Sequence, residues 1–283
     1  MKPARFDYLR ARSLEEAVRA LADAHGEGKI IAGGQSLTPV LALRMARPAL
    51  LVDVNRIPGL GRIARTSESS IRIGALVRHS ALMRQCDHPL LAEAAGWIGH
   101  TAIRSRGTTG GSIAHADPSA ELPVVAAALD AVVQVTGPQG AREIEARDLF
   151  VGALETSLTE EEMITSVELP IPQRWGFAEL SRRHGDFGLV TVVAAEIEGR
   201  WRIAVGGVGT VPYRPAEAEA LLADGPLTEV TIARAAAATA AGIQPSPDIH
   251  ASGDYRRAMT EEFTRRALTR ATAGPDNGAA DEC

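Results

Sequence analysis

The sequence predicts an α+β protein built in successive parts, and three observations predict it. Between Lys29 and Val54 a strand, a paired-glycine turn, a helix and a second strand follow one another. Between Ser70 and Leu169, alternating strand-like segments are interleaved with helical ones, as in a mixed or antiparallel sheet. Beyond Pro170-Ile171-Pro172, strand-like segments precede helical ones, the order of a sheet with helices packed on one face. A chain of 283 residues has room for two or three such compact parts.

Each element has a local reason. The start, Met1 to Tyr8, reads as part of the folded domain. Ser13-Leu14-Glu15-Glu16 is a capping-box signature, and Ala17, Val18 and Leu21 follow at helical spacing. Lys29-Ile30-Ile31 is a short strand that runs into the first glycine turn. Leu37 to Met45 reads as a helix with Pro39 in its first turn, where proline is tolerated. Leu50 to Val54 is a buried strand. Ser70 to Gly74 alternates like a half-buried strand, and helices are expected over His79 to Arg84, Leu90 to Ile98 and Pro118 to Leu129. Val132 to Thr136, Glu143 to Ala146 and Met163 to Leu169 are further strands. The prolines at 170 and 172 interrupt regular hydrogen bonding and mark a boundary. Phe177 to Ser181, Leu189 to Ile197 and Trp201 to Val208 then read as strands. Pro215 to Leu222, Val230 to Ala241 and Tyr255 to Leu268 read as helices. From about Ala271 the residues are small and polar without periodicity, as in a disordered tail.

Composition excludes several classes of function. A formal net charge of −5 leaves no electrostatic footprint for nucleic acid. No apolar run reaches membrane-spanning length, and the N-terminus lacks a signal-peptide pattern. Cys86 and Cys283 are the only cysteines, too few for an iron–sulfur cluster or a structural zinc site. Their scarcity fits a reducing cytoplasm, and any metal redox centre is expected on another chain.

The chemistry centres on two turns. Ala32-Gly33-Gly34-Gln35-Ser36-Leu37 and Thr108-Thr109-Gly110-Gly111-Ser112 each combine paired glycines with hydroxyl residues and end where a helix can begin. Glycine lacks the Cβ that would hold a ligand off the backbone, so such turns offer N–H groups to an anion. Taken singly, the first turn reads equally as a tight strand-to-helix connection. Two such turns point to a diphosphate held from both sides, and so to a dinucleotide. The glycines lack Gly-x-Gly-x-x-Gly spacing, so nicotinamide binding is not indicated, and no Walker lysine follows them. Asp117-Pro118 reads as a helix entrance, with Asp117 as N-cap, or as a ligand contact. Glu121 then lies one turn inside that helix, supporting its start or accepting hydrogen bonds from ribose hydroxyls. His115 has no nucleophile paired with it. Gly206-Gly207-Val208-Gly209 is assigned to a turn or bulge in the C-terminal sheet rather than to a third phosphate loop.

Together these residues resemble the FAD-binding medium subunit of the molybdenum hydroxylases, the group of xanthine dehydrogenase, carbon monoxide dehydrogenase and quinoline oxidoreductase. The resemblance runs from Phe6 to about Leu268. It rests on the stretches 32–39, 103–112, 116–123, 168–172, 182–187 and 206–209, which are specific in this order. It implies a two-lobed PCMH-type FAD-binding domain, with a small α/β lobe over residues 1–56 and a mixed-sheet lobe over 57–173. A C-terminal α+β flavoprotein domain with a three-stranded antiparallel sheet would occupy 174–270, ahead of the tail at 271–283.

The resemblance also implies noncovalent FAD, its diphosphate between the two turns and in contact with Ala32, Gly33, Gly34, Gln35, Ser36 and Leu37. Thr108, Thr109, Gly110, Gly111 and Ser112 would contact it from the other side. Glu121 matches a carboxylate position at the cofactor, and Ile98 and Ile164 match apolar positions. Asp186 belongs to the matching stretch before Phe187, which falls where the family covers one isoalloxazine face; an ordinary core position is the alternative for Phe187. Ser112 stands where the family often has asparagine, and no lysine occupies the region of Phe177 and Ala178, unlike some eukaryotic relatives. Arg104 and Arg106 would balance diphosphate charge or form structural ion pairs.

By the same resemblance this chain is an electron-transfer subunit without a catalytic acid or base of its own. A large partner with the molybdenum cofactor would oxidise a heterocycle, an aldehyde or carbon monoxide. A small partner with two [2Fe–2S] clusters would pass electrons to FAD and on to an external acceptor, within a dimer of heterotrimers. The alternatives are a stand-alone flavin oxidoreductase and a non-enzymatic nucleotide-binding assembly module.

Overall fold

The computed structural model describes residues 2–223 and 225–273. Its first part is a three-stranded parallel sheet with two crossover helices. The elements are β1 (Asp7–Arg10), α1 (Leu14–Asp23), β2 (Gly28–Ile31), α2 (Leu37–Ala42) and β3 (Leu50–Asp53), and β3 lies between β1 and β2. Ser13 caps α1 by accepting the Glu16 N–H at 3.2 Å, while the Glu16 carboxylate takes the Arg12 N–H at 2.7 Å. Ala17, Val18 and Leu21 of α1 pack with Val52, Val54 and Ile57 into a small core. The helix α2 ends at Ala42, short of the expected Met45, because Arg44 takes a left-handed turn at φ 59°.

The second part begins with β4 (Ile63–Ser67) and β5 (Ser70–Gly74). The helices α3 (His79–Gln85), α4 (Pro89–Trp97), α5 (Thr101–Arg104), α6 (Thr109–His115) and α7 (Glu121–Ala128) follow. Then come β6 (Val132–Gly137), β7 (Gly140–Glu145), α8 (Ala146–Leu149), the small pair β8 (Phe150–Gly152) and β9 (Glu155–Thr156), and β10 (Met163–Pro170). The main sheet runs β4-β5-β10-β6-β7, and every pairing in it is antiparallel. Every residue of α7 is buried, and all but Glu121 are apolar.

The third part is the antiparallel sheet β11 (Arg174–Leu180), β12 (Val190–Ile197) and β13 (Arg200–Gly206), followed by α9 (Ala216–Leu221), α10 (Glu229–Ala241) and α11 (Gly253–Thr272). Side chains alternate between two buried faces. Ala178, Val190, Val192, Ile203 and Val205 pack with Ile232, Phe263 and Leu268 of the helices. Phe177, Val193, Ala195 and Ala204 join the core of the preceding part. The sheet is therefore a shared wall, with α7 on one side and α11 on the other. The last helix runs through Thr272, two residues into the stretch expected as tail; the remainder, 274–283, lies outside the described residues.

Candidate cofactor site

The first glycine turn leaves the end of β2 and enters α2. Gly34 sits at φ +71°, where a side chain is strained, and a Cβ there would lie 2.9 Å from Thr38 Oγ1. At Gly33 a Cβ would strike the Arg106 carbonyl oxygen and come within 2.9 Å of Gly107 Cα. The two glycine segments are thus in direct backbone contact, through 33 and 106–107. Among the described residues, the N–H groups of Gly33, Gly34, Gln35 and Ser36 find no acceptor in the protein; Gln35 turns its own amide back to the Gly33 carbonyl at 3.1 Å.

Two residues missed in the sequence hold this contact. Asn55, just beyond β3, donates to the Ala32 carbonyl at 2.8 Å and to Asp53 Oδ1 at 2.7 Å. Arg78 donates to Asn55 Oδ1 at 2.7 Å and to the Arg106 carbonyl. Both of its acceptors are neutral. Burial and the charge of Arg106 oppose the charged form of Arg78, while the Asp53 carboxylate favours it. Arg104 acts elsewhere. Its guanidinium takes the Ile98 and Gly99 carbonyls at 3.0 and 2.6 Å and closes the end of α4.

The second turn differs from expectation, because its glycines lie inside a helix rather than before one. Thr108 is the N-cap of α6, accepting the Gly111 N–H at 3.2 Å. The Thr109, Gly110 and Ser112 N–H groups go to the Val77, Ala75 and Thr108 carbonyls at 2.9, 2.9 and 3.0 Å. Its amides are spent within the protein. Gly110 packs on Ala75, so a Cβ there would lie 2.6 Å from that side chain, whereas Gly111 is exposed. This segment offers a smooth exposed surface and the Ser112 hydroxyl, and the first turn offers the free N–H groups.

The remaining expected residues spread outward from this centre. The Ile98 side chain is buried in the large core, and Ile164 lies in the same core at a bulge of β10. The neighbouring Thr165 carbonyl receives the Ala75 N–H, which ties this strand to the second turn. Gly185 presses on His100, and His184 meets Trp97 edge-on at 5.8 Å, so the 182–187 segment is pinned over the end of α4. Phe187 is 71 % exposed, which removes the core alternative for it. Asp186 is exposed in the same segment.

Glu121 occupies the first position of α7. Asp117 does not cap that helix: its Oδ1 accepts the Ser119 N–H at 2.8 Å in a local turn, and α7 begins three residues after Pro118. Burial pushes the Glu121 carboxyl above the ordinary carboxylate range. Across the junction, Glu179 of β11 is pushed up further, by burial and then by the charge of Glu121. His79, beneath Gly107, is also buried, with both ring nitrogens unpartnered, and burial pulls its pKa down to about 4.

Residues 4–172 match the family described as the FAD binding domain in molybdopterin dehydrogenase. Residues 175–271 match the CO dehydrogenase flavoprotein C-terminal domain. Over 96 % of its length, and 97 % of the relative's, the chain is 47 % identical to subunit alpha of the 6-hydroxypseudooxynicotine dehydrogenase complex of Paenarthrobacter nicotinovorans. It is 40 % identical to the nicotine 6-hydroxylase medium subunit of the same organism, over 96 % of this chain and 99 % of that one.

The chain belongs to the FAD-binding medium subunits of the molybdenum hydroxylases.

Such a medium subunit is an oxidoreductase subunit, as the resemblance carried by the glycine turns and the 182–187 segment implies. The fold agrees: quinoline 2-oxidoreductase from Pseudomonas putida 86 superposes with a TM-score of 0.90 at 36 % identity, over 96 % of this medium subunit and 99 % of that chain. Among its described residues no helix is long and apolar enough to cross a membrane.

Proposed function

We propose that this medium subunit holds FAD with the diphosphate on the open turn 33–36 and carries electrons between partner subunits and an external acceptor. The observation that supports this most is the row of unclaimed N–H groups at Gly33 to Ser36, set against the 106–107 backbone and beside Arg78 and Arg106. Unclaimed amides next to cationic groups suit a diphosphate. Gly111 and Ser112 would close the cradle from the other side, and Phe187 would lie over the flavin ring. Ala32, Leu37, Ile98, Thr108, Thr109, Gly110, Glu121, Ile164 and Asp186 complete the proposed set, Ile164 beside the adenine or through its backbone.

When bound, the flavin supplies the redox chemistry, and this chain binds it, orients it and sets the charge around it. Reducing equivalents would arrive from two [2Fe–2S] clusters on a small partner, fed by a molybdenum cofactor on a large one. We read the assembly as a cytoplasmic dimer of heterotrimers. Three parts are proposed along the chain: two lobes of the FAD-binding domain at 1–56 and 57–173, and a C-terminal domain at 174–270.

Native purification tests this. A yellow protein that releases FAD on denaturation and copurifies with molybdenum and iron–sulfur chains is the expected result. A colourless chain with no affinity for FAD refutes the cofactor role; a flavoprotein with no partners refutes the relay. Gly34→Val, strained at φ +71°, is expected to weaken FAD binding at least about 100-fold in a folded chain.

A further inference from the structure

The C-terminal sheet carries a polar row on the face turned toward the FAD-binding part. In register, Glu179 lies opposite Thr191, and Thr191 lies opposite Gly206. Phe177, two residues before Glu179 on the same strand face, belongs to the core shared with that part. The row meets the first turn of α7. A Cβ at Gly206 would lie 2.5 Å from Val124 Cγ2, 3.4 Å from the Pro118 carbonyl oxygen and 3.8 Å from Thr191 Cβ. Val124 is one helical turn beyond Glu121, so Glu121 and Glu179 approach this junction from opposite sides.

Both residues are buried, each only 6 % exposed. Thr191 Oγ1 donates to Glu179 Oε2 at 3.2 Å, and Glu179 Oε1 has no partner. A second ionised carboxylate here would be a buried charge with too few donors, which costs several kcal/mol. Glu121 is better placed to carry the charge, since the first position of a helix supplies free N–H groups and a favourable dipole.

We propose that the two carboxyl groups hold one proton between them, seated on Glu179. Glu179 is then a positioning residue that keeps Glu121 a fixed anion at the edge of the cofactor site. The role toward FAD rests on the cofactor reading above; the shared proton does not.

Other charges around the pair leave this assignment in place. Asp117, ahead of α7, adds negative field at Glu121. Arg256 of α11 commits its guanidinium to the Leu189 and Gly207 carbonyls and to Asp248. Arg270 of α11 donates to the Phe177 carbonyl at 2.7 Å. At the far end of the same strands, Glu196 is paired with Arg174 at 2.6 Å. His184 and Asp186 lie exposed in the segment beyond Glu179.

The full chain without FAD is melted from pH 5 to pH 9, as wild type and as Glu179→Gln. A carboxyl whose pKa is raised by folding favours the fold below the ordinary carboxylate range, and that contribution is lost as pH rises toward the folded value. The two proteins are expected to melt alike at pH 5, with the variant higher by about 2–4 °C at pH 9. A difference that stays constant with pH overturns the shared proton.

Thr191→Val removes the hydroxyl that stabilises the ionised form, so its alkaline loss of stability should start at the same pH as in wild type and continue to a higher pH. A loss that levels off at the same or a lower pH overturns the shared proton as well. FAD affinity, read by flavin fluorescence at pH 7, tests the positioning role. Glu179→Gln should bind within about twofold of wild type, while Glu179→Ala and Glu121→Gln bind about tenfold more weakly. Equal binding by the Gln and Ala variants overturns the positioning role. Absence of binding by wild type overturns the cofactor reading and that role with it, and the melts still decide the shared proton.

Discussion

Single residues set the conditions under which the candidate site can exist. Gly33 must lack a side chain because the Arg106 carbonyl occupies the space, and Gly34 because its backbone is left-handed. His79 is more demanding, since its ring is buried under Gly107 with neither nitrogen satisfied. Its pKa of about 4 lies below the ordinary value of 6.5, so the neutral ring is the form that fits. The sign follows: its contribution to stability is complete above about pH 6.5 and is lost as pH falls toward about 4. Between pH 7 and pH 5 wild type should lose on the order of 2 kcal/mol that His79→Leu does not lose. Denaturant midpoints at the two pH values check this, and parallel losses in both proteins would reject the buried neutral imidazole.

Elements were legible wherever burial wrote a pattern into the chain. The strands β5, β6, β10, β12 and β13 carry buried apolar positions and stand out in the sequence. The strands β1 and β4 do not, because they are mostly exposed edge strands held by backbone pairing. Helix starts were harder. Asp117-Pro118 has the composition of an N-terminus, yet the Pro118 carbonyl accepts the Gly207 N–H at 2.8 Å and the helix begins only at Glu121. At α6 the cap is Thr108, and its hydroxyl shapes the second glycine segment. Thr108→Ala is expected to cost about 1 kcal/mol of stability and to weaken FAD binding by loosening Gly111 and Ser112. A variant equal to wild type in both melting and FAD titration would show that the cap shapes neither.

The whole molecule depends on how the C-terminal sheet is fastened to the FAD-binding part. Besides the shared core, Arg214 donates to the Ala127 carbonyl at 2.6 Å and to Asp130 at 2.7 Å, and Arg202 reaches Asp130 at 2.9 Å. Glu219 holds Arg214 from behind at 2.8 Å. These bonds span the junction that also contains Glu121 and Glu179. Arg214→Ala should therefore cost about 2 kcal/mol and separate the melting of the two parts, whereas Arg214→Lys restores only some of it. Calorimetry that finds one unaltered transition in Arg214→Ala would mean that apolar packing alone joins them.

Read as a string of residues, the chain already specified paired glycine turns, a capping box, buried strands, a boundary at Pro170 to Pro172 and too few cysteines for a cluster. Apart from the cysteine count, those features depend on residue types within a few positions of one another, as do the six short stretches that carried the family resemblance. Only the folded chain decided which glycine amides remain open, since the acceptors of Thr109 and Gly110 in the second turn are Val77 and Ala75, more than thirty positions away in sequence. It also placed Asn55 and Arg78 between the turns and set Glu179 against Glu121. A hydrogen-bond partner or a buried charge is a property of neighbours in space, and no local spacing encodes which neighbours those are.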